Sequence, residues 1–264
     1  MSDLLLKAGV PLIYLGFLSL TAIALFLAKW VKARGSLKLQ ASQLSPLGSL
    51  YTLTTAFLLS NVIFQFTNLR NAVTHEVVTV NKLVAVMSVL QPEQRIESRR
   101  LLYTYADKVA HTEVDDMLHG ESSEEARDSL ERLRDFLASS NAIQPKGQMI
   151  TPESANYIRK ASDFCFDLID SRERRLSLSK QAFQIRLTFA IALMYFALAL
   201  MVFLVNSGSW TLTWAAIVLL LSAPVPVILL FIYSNPIAHN LINITSTFES
   251  IMERIHQSSP HILT

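Results

Sequence analysis

Charged and uncharged positions are segregated along this chain. Three stretches, residues 8–28, 39–69 and 187–248, contain no Asp, Glu, Lys or Arg, and the last is 62 residues long. Between the second and the third, residues 70–186 hold 17 of the 23 basic and 18 of the 21 acidic residues. A charged side chain is costly at the centre of a bilayer. The pattern therefore predicts membrane-embedded segments on both sides of an aqueous insert.

Four segments are apolar enough to cross a membrane. A span needs about 20 mainly apolar residues, and residues 10–28, 47–66, 187–205 and 212–233 qualify. The turn-forming sequence Asn206-Ser207-Gly208-Ser209 separates the last two. The aromatic rings of Trp210, Trp214 and Tyr233 are predicted to lie near membrane interfaces.

The basic residues near the span ends predict the orientation. Four spans place both termini and the insert on one side, and the two short connections on the other. More Lys and Arg residues flank the spans on the side of the insert. Because basic residues are retained in the cytoplasm, we expect the termini and the insert to be cytoplasmic.

Apolar residues recur at helical spacing through the insert. The stripes contain Val80, Leu83 and Met87, then Leu102, Tyr105 and Val109, then Ala126, Leu130, Leu133 and Leu137, and finally Ala161, Leu168 and Leu176. The predicted fold is an all-α membrane protein with four transmembrane helices and a helical cytoplasmic domain between spans two and three. Its segments are residues 1–69 (spans one and two), 70–186 (helical domain), 187–234 (spans three and four) and 235–264 (an amphipathic C-terminal segment).

No helix-breaking residue separates the second span from Leu90, or Pro152 from the third span. Two helices of roughly 50 residues, about 75 Å each, are therefore predicted to form a stalk. Their apolar stripes must be buried within the insert or against another subunit.

The second span carries the intramembrane amides. Its candidate pore-lining residues are Thr54, Phe57, Asn61, Phe64, Gln65 and Asn68. The polar members share one helical face, and the phenylalanines are suited to hydrophobic constrictions that gate a pore by dewetting. The alternative interpretation is that Asn61 and Gln65 bond to neighbouring helices and stabilise packing.

Two further groups carry charge or metal-ligating chemistry. His111, Asp115 and His119 are spaced i, i+4, i+8, which suits a transition-metal site but equally describes a solvated helix face. A basic zone before the third span is formed by Arg172, Arg174, Arg175 and Arg186. These charges could set the membrane topology and contact anionic lipid head groups. Alternatively, they could line a cytoplasmic vestibule that attracts anions.

Short motifs flanking the spans carry a family resemblance. They are Gly48, Leu58-Leu59, Phe66, Ala72-Val73, Glu76, Leu83, Leu90-x-Pro92, Tyr105, Val109, Glu113, Asp170-x-Arg172-x-Arg174-Arg175-Leu176, Asn235-Pro236-Ile237 and Phe248. With these the chain resembles the bestrophin-like bacterial membrane proteins, a domain of unknown function, and more distantly the bestrophin anion channels. The resemblance implies a bacterial inner-membrane homo-oligomer, such as a pentamer, that passes chloride or similar anions along its second span.

The chain departs from the bestrophin pattern in two places. No acidic run follows the fourth span, where Glu249 and Glu253 stand apart, and Asn235 replaces the usual Asp. We therefore expect no calcium gating by that route.

Other functional classes lack support. The sequence contains no nucleotide-binding loop, catalytic triad or HExxH motif, and the near-balanced insert does not favour nucleic acid. We expect no enzymatic activity and no cofactor. The predicted function is an oligomeric ion channel, preferentially for anions, in contact with membrane lipids. The alternative is a non-conducting scaffold or signalling protein whose helical stalk binds a partner.

Overall fold

A computed structural model describes residues 2–34, 44–119, 121–140, 152–179, 185–205, 217–218, 221–234, 237 and 241–257. The regular elements in these ranges are helical, which confirms the all-α prediction. They are α1 (Ser2–Arg34), α2 (Leu44–Met87), α3 (Pro92–Lys108), a π-turn (Val109–Glu113), α4 (Val114–Leu118), α5 (Glu124–Ser140), α6 (Pro152–Ser179), α7 (Ile185–Val205), α8 (Pro224–Ser234) and α9 (Ile244–Gln257).

The chain divides into two compact units. The first, here called the apolar unit, comprises residues 1–66 and 182–239, and the second, the charged unit, comprises residues 67–181 and 240–264. Helix α2 belongs to both, since it runs for 44 residues without interruption. At 1.5 Å per residue it is about 66 Å long.

The apolar unit is held together by α1, α2, α7 and α8. Its core includes Phe17, Leu58, Tyr195, Val227 and Leu230. Two buried hydroxyl groups are satisfied across helices: Tyr51 Oη donates to the Ala223 carbonyl oxygen at 2.5 Å, and Thr21 Oγ1 lies 2.7 Å from Tyr195 Oη. These bonds matter in an apolar medium, where an unpaired hydroxyl is costly.

The charged unit has an aliphatic core that follows the predicted stripes. Leu83 of α2, Leu102 of α3, Leu133 of α5 and Leu168 of α6 are fully buried. Helix α5 begins at a Ser123 cap, whose Oγ accepts a hydrogen bond from the Ala126 amide at 3.4 Å. Helix α9 packs against α3 and the π-turn through its buried face, which includes Phe248 and Ile251.

Two of the four predicted spans coincide with helices long and apolar enough to cross a membrane. They are Pro11–Arg34 and Gly48–Met87. The other two coincide with the shorter apolar segments Ala190–Val205 and Pro224–Tyr233. The turn at 206–209, Trp210, Trp214 and residues 180–184 lie outside the described residues, as do Asn235 and Pro236. The four-span count and the continuity of the second long helix therefore stay predictions.

Candidate functional site

Helix α2 has two faces of opposite character. One face is buried in the unit cores and carries Tyr51, Leu58 and Val62, followed by Leu69, Val73, Glu76, Val80 and Leu83. The opposite face is exposed: Leu53 and Phe57 project from it at 72% and 69% exposure, and Phe64 at 64%. Among the described residues, the exposed face is therefore little used for packing.

The predicted pore-lining residues lie on the exposed face or at its edge. Phe57, Asn61 and Phe64 are exposed, whereas Thr54, Gln65 and Asn68 are partly buried. Within the part of the chain that the structure describes, no hydrogen bond joins the Asn61, Gln65 or Asn68 side chain to another residue. Among the described residues, these three amides therefore form no hydrogen bond that joins α2 to another helix.

The charged unit contains a second candidate site, a buried ion-pair cluster that we call the Glu–Arg cluster. It consists of Glu76 on α2, Glu113 at the end of the π-turn, and Arg172 and Arg175 on α6. All four side chains are nearly or fully buried. Two carboxylates and two guanidinium groups give it no net charge.

Arg175 is the centre of the Glu–Arg cluster. Its Nε donates to Glu76 Oε2 at 2.6 Å, and its Nη2 donates to Glu113 Oε2 at 2.6 Å. Arg175 Nη1 also donates to Met117 Sδ at 2.8 Å. Burial alone would lower the pKa of Arg175, but the adjacent Glu76 and Glu113 carboxylates raise it well above its ordinary value. The guanidinium is thus held in its charged form.

Contacts of Arg172 and Glu76 extend the cluster to two further elements, α5 and α3. Arg172 pairs with Glu113 and donates to the Ser123 carbonyl oxygen at 2.9 Å, at the start of α5. Tyr105 Oη of α3 donates to Glu76 Oε1 at 2.5 Å. Burial and the neighbouring Glu76 raise the pKa of Tyr105, so its hydroxyl keeps the proton it donates. The cluster therefore links α2, α3, the π-turn, α5 and α6.

The predicted basic zone separates into residues with different roles. Arg172 and Arg175 point into the charged unit and pair with carboxylates there, so neither is available to lipid or to a passing anion. Their interpretation as lipid- or anion-facing groups is corrected by this geometry. Arg174 is exposed, and the side chain of Arg186 lies outside the description.

The π-turn presents Glu113 to both arginines. A π-turn adds a residue to a helix, shifts the phase of the residues that follow and interrupts the regular hydrogen bonding. The Ala110 carbonyl oxygen within the turn accepts a hydrogen bond from Thr245 Oγ1 of α9 at 3.3 Å. Phe248 of the same helix packs edge-on against Tyr105, with ring centroids 6.3 Å apart. Helix α9 thus contacts the two elements that supply Glu113 and Tyr105.

Replacing Thr245 with valine is expected to destabilise the charged unit by about 1 kcal/mol, the typical net worth of one hydrogen bond. The Thr247→Val variant is the matched control, because Thr247 Oγ1 is exposed and bonds only to the Asn243 carbonyl oxygen in its own segment. Hydrogen exchange of the 109–118 amides measures the difference. Equal exchange in the two variants would show that the contact does not stabilise the turn.

The predicted metal-ligating residues are not brought together. His111 Nδ1 lies 3.1 Å from Asp107 Oδ1, and His119 Nδ1 lies 2.9 Å from the Asp115 carbonyl oxygen. Among the described residues no group of three His, Cys, Asp or Glu side chains is arranged to hold a metal ion. The regular i, i+4, i+8 spacing is altered here because His111 lies within the π-turn, which shifts the phase of the residues that follow.

Solved structures of bacterial bestrophin homologues share this fold. Two from Klebsiella pneumoniae, a tryptophan-to-alanine and a tyrosine-to-alanine variant, each have a TM-score of 0.71 and 13% identity. The first match covers 97% of this chain and 98% of the other, and the second covers 96% and 100%. A third structure, described as a membrane protein with a proline-to-alanine change, has a TM-score of 0.70 and 14% identity over 93% of this chain and 96% of its own. No curated protein matches the sequence.

The fold defines the class as an all-helical membrane protein of the bestrophin type. The Bestrophin-like domain matches residues 15–241, most of the chain. The chain therefore belongs to the Bestrophin-like family, which confirms the resemblance found in the sequence.

Proposed function

We propose that the protein is a homo-oligomeric, anion-conducting channel whose pore is lined by the exposed face of α2. Membership of the Bestrophin-like family suggests the bestrophin class of ion channels. The observation that supports the assignment to α2 is the exposed amide of Asn61, which lies between the exposed rings of Phe57 and Phe64 and has no hydrogen-bond partner among the described residues.

An exposed amide in a membrane helix needs water or another protein chain beside it. Lipid tails offer no hydrogen bond, and an unsatisfied polar group in hydrocarbon costs several kcal/mol. A ring of identical α2 helices would supply both requirements, because each Asn61 would face a shared aqueous axis. Phe57 and Phe64 would then narrow that axis about one helical turn to either side of the amide.

The charge distribution favours anions over cations. Between Asp3 and Glu76 the sequence contains no acidic residue, so the candidate pore face carries no carboxylate ring. Cation-selective pores commonly use rings of Asp or Glu. Amide N–H groups can stabilise a partly dehydrated anion without such a ring, and chloride is the simplest candidate.

The proposed assembly lies in the bacterial inner membrane, with the termini and the charged unit in the cytoplasm. Its subunits are in contact with membrane lipids, and a pentamer is the stoichiometry that the bestrophin channels suggest. Mass measurement of the detergent-solubilised complex determines the subunit number. A monomer would contradict the proposal.

Recording from purified protein in planar bilayers tests conduction directly. In a tenfold potassium chloride gradient, we expect currents whose reversal potential lies near the chloride equilibrium potential. Replacing chloride by the large anion gluconate should reduce the current. Absence of current across voltage, pH and calcium concentration would overturn the channel assignment and favour the non-conducting scaffold. A reversal potential near that of potassium would refute anion selectivity alone.

A further inference from the structure

The apolar unit has almost no acidic side chains to pair with its basic ones. Its sequence contains a single acidic residue, Asp3, against the basic residues Lys7, Lys29, Lys32, Arg34, Lys38 and Arg186. Three of these, Lys29, Lys32 and Arg34, lie in the last turns of α1. Asp3 is 26 residues before Lys29 in the same helix, about 39 Å at 1.5 Å per residue. The unit therefore offers no carboxylate that can neutralise this end of α1.

The surface of α1 that leads to these cations is apolar and exposed. Leu15, Leu18 and Phe26 are separated by near-helical intervals on this surface, and Phe26 is 69% exposed. Lys29 follows Phe26 by one turn and is also exposed. A membrane-spanning helix with such a stripe presents it to acyl chains or to another helix. The cations that end the stripe then lie at the level of the lipid head groups.

Trp30 and Arg34 form an organised pair at this level. The Arg34 guanidinium carbon lies 3.7 Å from the centroid of the Trp30 indole, a stacked cation–π geometry. The indole is half-exposed, as expected for an interfacial anchor. This contact holds the guanidinium over the indole without using its N–H donors, which are suited to bidentate contact with a phosphate.

Lys32 connects this end of α1 to the end of α7. Its Nζ donates to the Phe203 carbonyl oxygen at 2.8 Å, near the last residue of α7. The contact fixes the helix that carries Trp30 and Arg34, while Lys29 and Arg34 remain exposed. Two cations and an indole thus lie within about one and a half turns at the end of α1.

We propose that Lys29, Trp30 and Arg34 form a binding site for the phosphate of an anionic phospholipid. The bilayer supplies the occupant, because the apolar stripe that leads to the site is suited to its acyl chains and the positive charge of Lys29 and Arg34 is complementary to its head group. Each basic residue near an anionic membrane surface is worth roughly fivefold in binding. This inference does not depend on ion conduction.

The fluorescence of the Trp30 indole can report lipid contact at the proposed site. The protein contains three tryptophans, so the Trp210→Phe/Trp214→Phe double variant leaves Trp30 as the single indole, which can be excited selectively at wavelengths where tyrosine does not absorb. This variant is reconstituted into phosphatidylcholine vesicles containing a fixed fraction of lipid with brominated chains, which quench indole fluorescence on contact. The brominated lipid is phosphatidylglycerol in one arm and phosphatidylcholine in the other.

We expect brominated phosphatidylglycerol to quench Trp30 more strongly at the same mole fraction. Adding Lys29→Gln and Arg34→Gln should lower the apparent preference by about fivefold per charge, whereas Arg132→Gln on the exposed surface of α5 should leave it unchanged. Intermediate loss in Arg34→Lys would indicate that the stacked plane contributes beyond its charge. Unchanged thermal unfolding of each variant shows that the fold is retained.

Three results would overturn the site. Equal quenching by both lipids would show that the α1 end does not select an anionic head group. A second result would be that millimolar inorganic phosphate abolishes the lipid preference and also changes the Trp30 fluorescence in pure phosphatidylcholine vesicles. These two effects together would identify a site for a free anion instead. Retention of the preference in the double-glutamine variant would place lipid selection elsewhere.

Discussion

Replacing Arg175 with methionine is expected to destabilise the charged unit by about 3–5 kcal/mol, the range found when one partner of a buried ion pair is removed. The arginine is fully buried and bonds to Glu76 and Glu113. Methionine preserves much of the volume but leaves one buried negative charge uncompensated. Since about 1.4 kcal/mol corresponds to a factor of ten, amides of α3, α5 and α6 should exchange at least about 100-fold faster.

Arg174 provides the matched control for this experiment. It is adjacent in sequence but exposed, and surface substitutions usually change stability by no more than about 0.5 kcal/mol. Hydrogen exchange of the full-length protein in detergent reports the charged unit separately from the apolar unit. Equal exchange rates in Arg174→Met and Arg175→Met would show that the Glu–Arg cluster adds nothing to stability.

A second variant distinguishes lost charge balance from lost packing. In Arg175→Met/Glu76→Gln the cluster is electrically neutral again, because Arg172 and Glu113 remain paired. We expect this double variant to be more stable than Arg175→Met alone, a non-additive result typical of contacting residues. A double variant as unstable as the sum of its single changes would indicate that shape, and not charge, determines the loss.

The helical elements were predictable because their signal is local. The stripes at Leu102, Val109, Leu130 and Leu137 are buried as the 3.6-residue period requires. Likewise, no Pro or Gly interrupts α2 between residues 49 and 87, and the helix continues to Met87. Periodicity and helix breakers are properties of neighbouring residues, so one sequence is sufficient to read them.

The Glu–Arg cluster was not predicted, although a signal for it exists. Glu76 lies on the stripe of Val73 and Val80, and Arg175 lies beside Leu176 on the stripe of Leu168. Opposite charges on the buried faces of separate helices indicate an internal ion pair, since an unpaired buried charge is too costly to retain. Reading the arginines as a linear basic run missed this, because the run contains both buried and exposed positions. Their pairing joins residues 99 positions apart, which no local pattern specifies.

The exposed face of α2 should control conduction if it lines the pore. Phe64 is 64% exposed, so removing its ring costs little packing energy within the subunit. In a pore, however, Phe64→Ala would widen a hydrophobic constriction and lower its dewetting barrier. A barrier lower by about 1.4 kcal/mol raises a rate roughly tenfold. For Phe64→Ala we therefore expect the conductance in bilayer recordings to increase, by up to roughly tenfold. For Asn61→Leu we expect the conductance to decrease, because this change removes the amide donor.

Phe26 on α1 provides a control for Phe57 and Phe64 that separates pore lining from lipid exposure. Its exposure, 69%, equals that of Phe57, and it also lies on an apolar helix long enough to span a membrane. Replacing any of these three phenylalanines by alanine removes a similar area of exposed apolar surface. Only a ring that faces the conduction axis can alter the current. Phe57→Ala and Phe64→Ala should therefore change single-channel conductance, while Phe26→Ala should leave it unchanged. If all three variants conduct like the native protein, the exposed face of α2 packs against lipid or another helix, and the pore must be lined elsewhere.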